Sequence, residues 1–175
     1  AMAKTGAIAG LCPITEANLG DGIFDGPRFR AAGGQFGVGS DSNVRISLSE
    51  ELRLLEYSQR LGLRGRALLA DVGRSTGRVL YEEACQGGAK AAGRASGAIA
   101  VGLWGDLMAL DCSGPDLGAS IGDMLLDTFI FAGDDRMVAE VWSAGRHIVH
   151  QGRHAARAPI IARYRATIAR LREAL

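Results

Sequence analysis

The stretch Ala7-Ile8-Ala9-Gly10-Leu11-Cys12-Pro13-Ile14-Thr15-Glu16-Ala17-Asn18-Leu19-Gly20-Asp21-Gly22 sets a short apolar run directly against a segment dense in polar residues and glycine. Ala7 to Cys12 reads as a buried strand closed by Pro13, which cannot donate to a ladder. The residues after Pro13 read as a polar loop leading to a short helix around Pro27 to Ala32. The same order then recurs: Gln35 to Ser40 is a second strand, and a longer helix comes after it. Strand-then-helix alternation implies parallel strands, because consecutive parallel strands need a crossover. Upstream of the first strand, Ala1-Met2-Ala3-Lys4-Thr5-Gly6 has neither the apolar centre nor the cleavage site of a signal peptide. It reads as the end of a helix that begins before Ala1, capped by Gly6.

The longer helix is marked at its start by Ser47-Leu48-Ser49-Glu50, a capping-box pattern, and by the apolar stripe Leu48, Leu52 and Leu55. The pattern predicts a helix over Ser47 to Leu61. Two more are predicted, Arg66 to Val72 and Ser75 to Gln86, with Gly87-Gly88 ending the second. The Gly-rich run from Gln86 to Gly97 lacks the preceding strand and the spacing of a phosphate-binding loop, so it reads as a linker. A shift to Gly, Ala and Ser puts a boundary near Gly93. Beyond it lie short strand candidates at Leu107 to Leu110, Met137 to Ser143 and Arg146 to His150, interrupted by Asp123 to Phe131, which is read as helix. Pro159, then Ile161, Tyr164, Ile168, Leu171 and Leu175 at helical spacing, predict a closing amphipathic helix.

Bulk properties narrow the function classes. With 47% hydrophobic and 22% charged residues, the chain has the composition of a globular domain and not of a disordered one. Its 20 basic and 19 acidic residues leave a formal charge of +1, and no basic run is present to track a phosphate backbone, so nucleic acid is not the expected partner. Apolar stretches are interrupted well before the roughly 18 residues of a membrane span. Cys12, Cys85 and Cys112 are odd in number and far apart, which suits a reducing, cytoplasmic setting better than a disulfide framework or a CxxC metal site.

Two strand ends carry the candidate chemistry. Gly39-Ser40-Asp41-Ser42 places a carboxylate just past an apolar run, at the carboxyl end of an expected parallel strand, where barrel enzymes carry catalytic groups. Asp41 is therefore a candidate catalytic carboxylate, and the plainer reading, a cap on a loop or helix, stands beside it. The loop after the first strand offers Glu16 and Asn18, and the second offers Ser42, as candidate substrate contacts; ordinary turn residues and a solvated charge are the alternative. His147, His150 and His154 cluster along the chain, but His147 and His150 are three apart on an expected strand and so should face opposite ways. That argues against the metal site their clustering invites, and they are read as surface or subunit-contact residues. Glu82-Glu83 and Asp134-Asp135 are read as solvated charge, since chain neighbours do not converge on one reacting atom.

The two loops, with Glu50-Glu51-Leu52-Arg53 and Leu54-Leu55-Glu56-Tyr57-Ser58-Gln59-Arg60-Leu61, resemble the amidohydrolase superfamily and within it the N-formimino-L-glutamate deiminases. The likeness continues through Gly105-Asp106-Leu107-Met108-Ala109-Leu110-Asp111 and Val141-Trp142-Ser143-Ala144-Gly145-Arg146-His147. The fold that this resemblance implies is α/β: the last βα units of a (β/α)8 TIM-type barrel over residues 1–93, part of a small β-sandwich domain over 94–156, and a C-terminal amphipathic helix over 157–175.

The same resemblance implies a zinc-dependent iminohydrolase that converts N-formimino-L-glutamate to N-formyl-L-glutamate and ammonia in histidine breakdown. Asp41 matches the family's aspartate, which ligates the single zinc and transfers the proton. The histidine ligands are expected upstream of this chain, so the rest of the barrel, in the same or a second chain, is an expected partner and the segment alone is expected to be inactive. A homo-oligomer is also expected. Two alternatives stand beside this reading: a related deaminase or chlorohydrolase acting on a purine, pterin or triazine, and a non-catalytic half-barrel assembly module.

Overall fold

A computed structural model describes residues 1–42 and 45–174. Strands β1 (Ile8–Leu11) and β2 (Gln35–Val38) pair in parallel, Ile8 opposite Gln35 and Leu11 opposite Val38. Their crossover holds two short helices, α1 (Pro13–Leu19) and α2 (Gly26–Ala31). The first corrects the loop expected there. Pro13 stands at the first helical position, where its missing N–H costs nothing, so it opens a helix as well as closing the strand. Gly20, in the left-handed conformation, ends that helix.

Helix α3 (Leu48–Leu63) starts as expected, with the Ser47 hydroxyl accepting the Glu50 N–H. Helix α4 (Thr76–Ala91) is capped by Ser75 and carries acidic groups at its amino end: Ser75 N–H donates to Asp123 and Gly77 N–H to Asp127. Both carboxylates sit where the helix dipole favours negative charge. Strand residues Ala9, Leu11 and Phe36, helix residues Leu52, Leu55, Leu80 and Ala84, and Phe129 with Ile130 form one buried core.

Two expected helix features are overturned. Arg66 to Val72 is not helical. Its Leu68 and Leu69 amides both donate to the buried Glu56 carboxylate, each at 3.0 Å, so a side chain of α3 takes the donors that helical carbonyls would otherwise accept. Gly87-Gly88 does not end α4, which runs on to Ala91 through much of the expected linker. The glycines answer to packing: a Cβ at Gly87 would lie 1.8 Å from the Phe36 carbonyl oxygen, and one at Gly37 would lie 3.0 Å from the Gly88 backbone. Helix and strand backbones touch here, which only glycine allows.

The second sheet is antiparallel, in sequential order β3 (Leu107–Leu110), β4 (Val138–Ser143), β5 (Arg146–His150) and β6 (Arg153–His154). Its tight hairpins turn on Ala144-Gly145 and Gln151-Gly152, all four at positive φ. That is the backbone twist two-residue hairpins favour. Between β3 and β4 the chain is helical, as expected, through α5 (Met124–Asp127) and a π-helical turn (Thr128–Ala132) that delivers Phe129 and Ile130 to the core. The closing helix, α6 (Arg157–Glu173), forms as predicted but buries none of its residues; Leu175, the last of its predicted stripe, lies outside the described residues. No helix among the described residues is long and apolar enough to cross a membrane.

Candidate active site

Parallel pairing brings the carboxyl ends of β1 and β2 side by side. The Gly39 N–H donates to the Leu11 carbonyl at 3.0 Å, carrying the ladder past β2. The chain then turns at Asp41, whose φ of 46° is one of the few left-handed conformations outside glycine. Buried Thr15, on α1, joins the two loops: its hydroxyl donates to the Ser40 carbonyl at 3.1 Å and lies 2.9 Å from the Ser42 hydroxyl. Asp41 and Ser42 are exposed at this strand end, next to the loop that carries Cys12.

Acidic groups converge on that loop. The Cys12 thiol is pushed up first by burial and then by the charges of Asp41, Glu51 and Glu16. Glu16, expected from the sequence to contact substrate, accepts the Cys12 N–H at 2.7 Å and so steadies the first turn of α1. Asn18 is exposed on the same helix. Of the acid pairs read as solvated, Glu83 instead pairs with Arg30, and Glu82 with Arg74 and Arg78.

The residues that hold these loops were not singled out by sequence reasoning. Glu51 is 1% exposed; one carboxylate oxygen accepts the Ile14 N–H at 2.9 Å, and the other has no partner among the described residues. Burial pushes its carboxyl up. Glu56 takes the Leu68 and Leu69 amides and pairs with Arg60 at 2.7 Å. The Gln59 amide donates to the Phe24 carbonyl at 2.8 Å and accepts from the Gly26 N–H at 3.3 Å. Thus one face of α3 clamps three separate loops, including the one beside Asp41. The signal was present in the spacing: Glu51 stands four residues before Leu55 and Glu56 four after Leu52, in line with the apolar stripe.

Asp41 is an exposed carboxylate at a parallel strand's carboxyl end, able to accept a proton or to ligate a divalent metal. It fits a catalytic zinc site as one ligand. Such sites use about three protein ligands with a place left for water, and the chain's three histidines lie far along the sequence, at and beyond β5.

The histidines themselves are arranged differently from the alternation expected. Trp142 faces His147 across the β4–β5 ladder, but Val141 faces Val149, so Ile148 is an extra residue on β5. This bulge turns His147 and His150 to the same side, where both reach the Glu140 carboxylate.

Known proteins share the sequence and the fold. The Amidohydrolase family profile matches residues 2–148. Formimidoylglutamate deiminase of Pseudomonas aeruginosa is 53% identical over 156 residues, which is 89% of this chain and 34% of that protein. The crystal structure of an amidohydrolase from Brucella melitensis superposes with a TM-score of 0.90 at 46% identity, covering 97% of this chain and 37% of that one. A zinc-bound adenosine deaminase from Xanthomonas campestris shares the fold, with a TM-score of 0.84 at 23% identity over 98% of this chain and 39% of its own. The chain thus spans about a third of the length of the relatives it matches.

Proposed function

Because the chain belongs to the amidohydrolase family, we propose that it supplies two strands and the small β domain of a zinc-dependent deaminase, one that hydrolyses N-formimino-L-glutamate to N-formyl-L-glutamate and ammonia. The observation that carries this reading is the position of Asp41, exposed at the carboxyl end of β2 and stitched through Thr15 to the loop after β1. The 53% identical deiminase supports the substrate. The barrel is supported by the family and by the parallel pairing of β1 and β2 across a helical crossover, the repeating unit of such a barrel. On this reading residues 1–93 are barrel, 94–156 the β domain and 157–175 a closing helix, and the enzyme is a cytoplasmic homo-oligomer.

The amidine carbon is a weak electrophile and water a weak nucleophile at neutral pH. Zinc, when bound by Asp41 and ligands outside the chain, supplies the Lewis acidity that lowers the pKa of water. Asp41 accepts the water proton and hands it to the departing nitrogen, so that water and amidine become amide and ammonia. Thr15, Glu16 and Glu51 position the loops without taking part in the proton transfer. Ser42 and Asn18, both exposed, remain the candidates for substrate contact, and Glu16 contributes there only through the oxygen not used by Cys12.

The test is ammonia release from N-formimino-L-glutamate by the full-length protein. Asp41→Asn keeps the side chain's size but removes the base and weakens the ligand, and should lower kcat by at least about 100-fold with the fold intact. Brisk turnover of a purine, pterin or triazine with none of formiminoglutamate would move the assignment to another deaminase. Undiminished activity of the variant would leave Asp41 a loop cap.

A further inference from the structure

A second group of ligating side chains lies on the antiparallel sheet and not on the parallel pair that leads to Asp41. Glu140 on β4 and His147 and His150 on β5 each present one donor atom, and the three atoms lie within 4.8 Å of one another. His147 Nε2 is 2.5 Å and His150 Nδ1 3.0 Å from the same carboxylate oxygen, Glu140 Oε2. The other oxygen, Oε1, accepts the Gln151 N–H at 3.1 Å, which fixes the carboxylate's rotation. The Trp142 indole stacks on the His147 ring, centroids 4.6 Å apart and planes 14° apart, so that ring too is held in place. These groups meet because Ile148 is bulged out of the ladder; in a regular strand His147 and His150 would face opposite sides.

We propose that Glu140, His147 and His150 form a binding site for a first-row divalent transition ion, separate from the site at Asp41. Two imidazoles and one carboxylate are the donor set that zinc and its neighbours accept and that magnesium and calcium do not favour. The spacing suits an ion. Tetrahedral ligands at about 2.0–2.1 Å from zinc are about 3.3 Å from one another, so the two histidine separations from Glu140 Oε2 need to open by less than an ångström. The three side chains are partly exposed, with relative exposures of 21% for Glu140, 39% for His147 and 69% for His150, which gives an ion access and leaves a coordination position open to water.

The experiment uses the untagged full-length protein, stripped with chelator and titrated calorimetrically with zinc chloride, beside Asp41→Asn and the double variant His147→Gln/His150→Gln. The double variant should lose one zinc per chain and keep its deaminase activity. Asp41→Asn should keep the zinc that the double variant lacks. Cobalt(II) absorption gives an independent reading, since the band from the imidazole–carboxylate site should be present in Asp41→Asn and absent from the double variant. Zinc stoichiometry and cobalt spectrum unchanged by the double substitution would overturn the site. Because Glu140→Gln preserves an acceptor for Gln151 while weakening the ligand, it should weaken the same zinc without unfolding the sheet; unaltered zinc affinity there would equally count against the proposal.

Discussion

Helices α3 and α6 are nearly the same length, 16 and 17 residues, and both carry apolar residues at helical spacing, yet α3 buries six residues and α6 buries none. The difference lies in what stands opposite. Helix α3 packs over the parallel strands and the π-helical turn, and its buried face mixes Leu52 and Leu55 with Ser49, Glu51, Glu56 and Gln59. Each of those two acids and the glutamine ends on a backbone group of another loop. Helix α6 leaves Ile160, Tyr164 and Leu171 exposed and has five arginines. Periodicity shows that a segment is helical and which face is apolar. It does not show what the face meets.

The strongest way to break the contrast is at the contact between α4 and β2, where the parallel half is tightest. Gly87→Ala would set a methyl group against the Phe36 carbonyl, an immovable backbone atom, and should destabilise the protein by about 3 kcal/mol, read as a lowered urea midpoint. Next in size is Glu56→Ala. It removes the acceptor for two buried amides and the partner of Arg60, and should cost about 2 kcal/mol while leaving α3 helical by circular dichroism. A stability equal to wild type would mean that the 66–72 segment holds its shape without Glu56.

These two sites also mark how far the fold was legible. The parallel βα order, the start of α3 at Ser47, the helical character of Asp123 to Phe131 and the three main antiparallel strands arise from local signals, because capping, alternation and turn chemistry act within a few residues. Pro13–Leu19 departs from the expected loop on local signals, a first-turn proline and Gly20, whereas the other two departures depend on distant partners. Gly87-Gly88 looks like a helix end until Phe36 is placed against it. Arg66 to Val72 looks helical until Glu56 claims its amides. At the candidate site Asp41 was visible because a strand end confers meaning on a carboxylate, whereas Thr15 and Glu51 act through bonds spanning 25 to 37 residues. His147 and His150 were set apart by strict alternation, and one bulged residue undid that.

A smaller effect should appear at Glu51. Burial raises its folded carboxyl pKa above that of the unfolded chain, so the folded state binds more protons over the interval between the two values. Stability is then full below the unfolded pKa and falls as pH rises through the folded one. Glu51→Gln keeps an oxygen for the Ile14 N–H and cannot ionise. Its melting temperature should therefore decline less than that of wild type as pH rises above the ordinary carboxylate range. Parallel curves for the two proteins would show that folding leaves the Glu51 carboxyl unshifted.

The smallest effect is expected in α6, where it tests the contrast from the other side. Leu171 is 55% exposed, and the helix around it contributes nothing to the buried core. Truncating an exposed leucine removes little apolar area from a packed environment, and alanine is the better helix former, so the two consequences nearly cancel. Leu171→Ala in the isolated 175-residue chain should change stability by no more than about 0.5 kcal/mol in either direction. The same substitution in the full-length protein makes the comparison informative. If its cost there rises to about 2 kcal/mol, typical of a buried leucine, α6 is covered by the remainder of the polypeptide or by a second subunit, and the apolar stripe has the same origin as that of α3. If the cost stays near zero in both, the stripe serves no packing role, and the two helices differ in kind and not only in the surroundings this chain gives them.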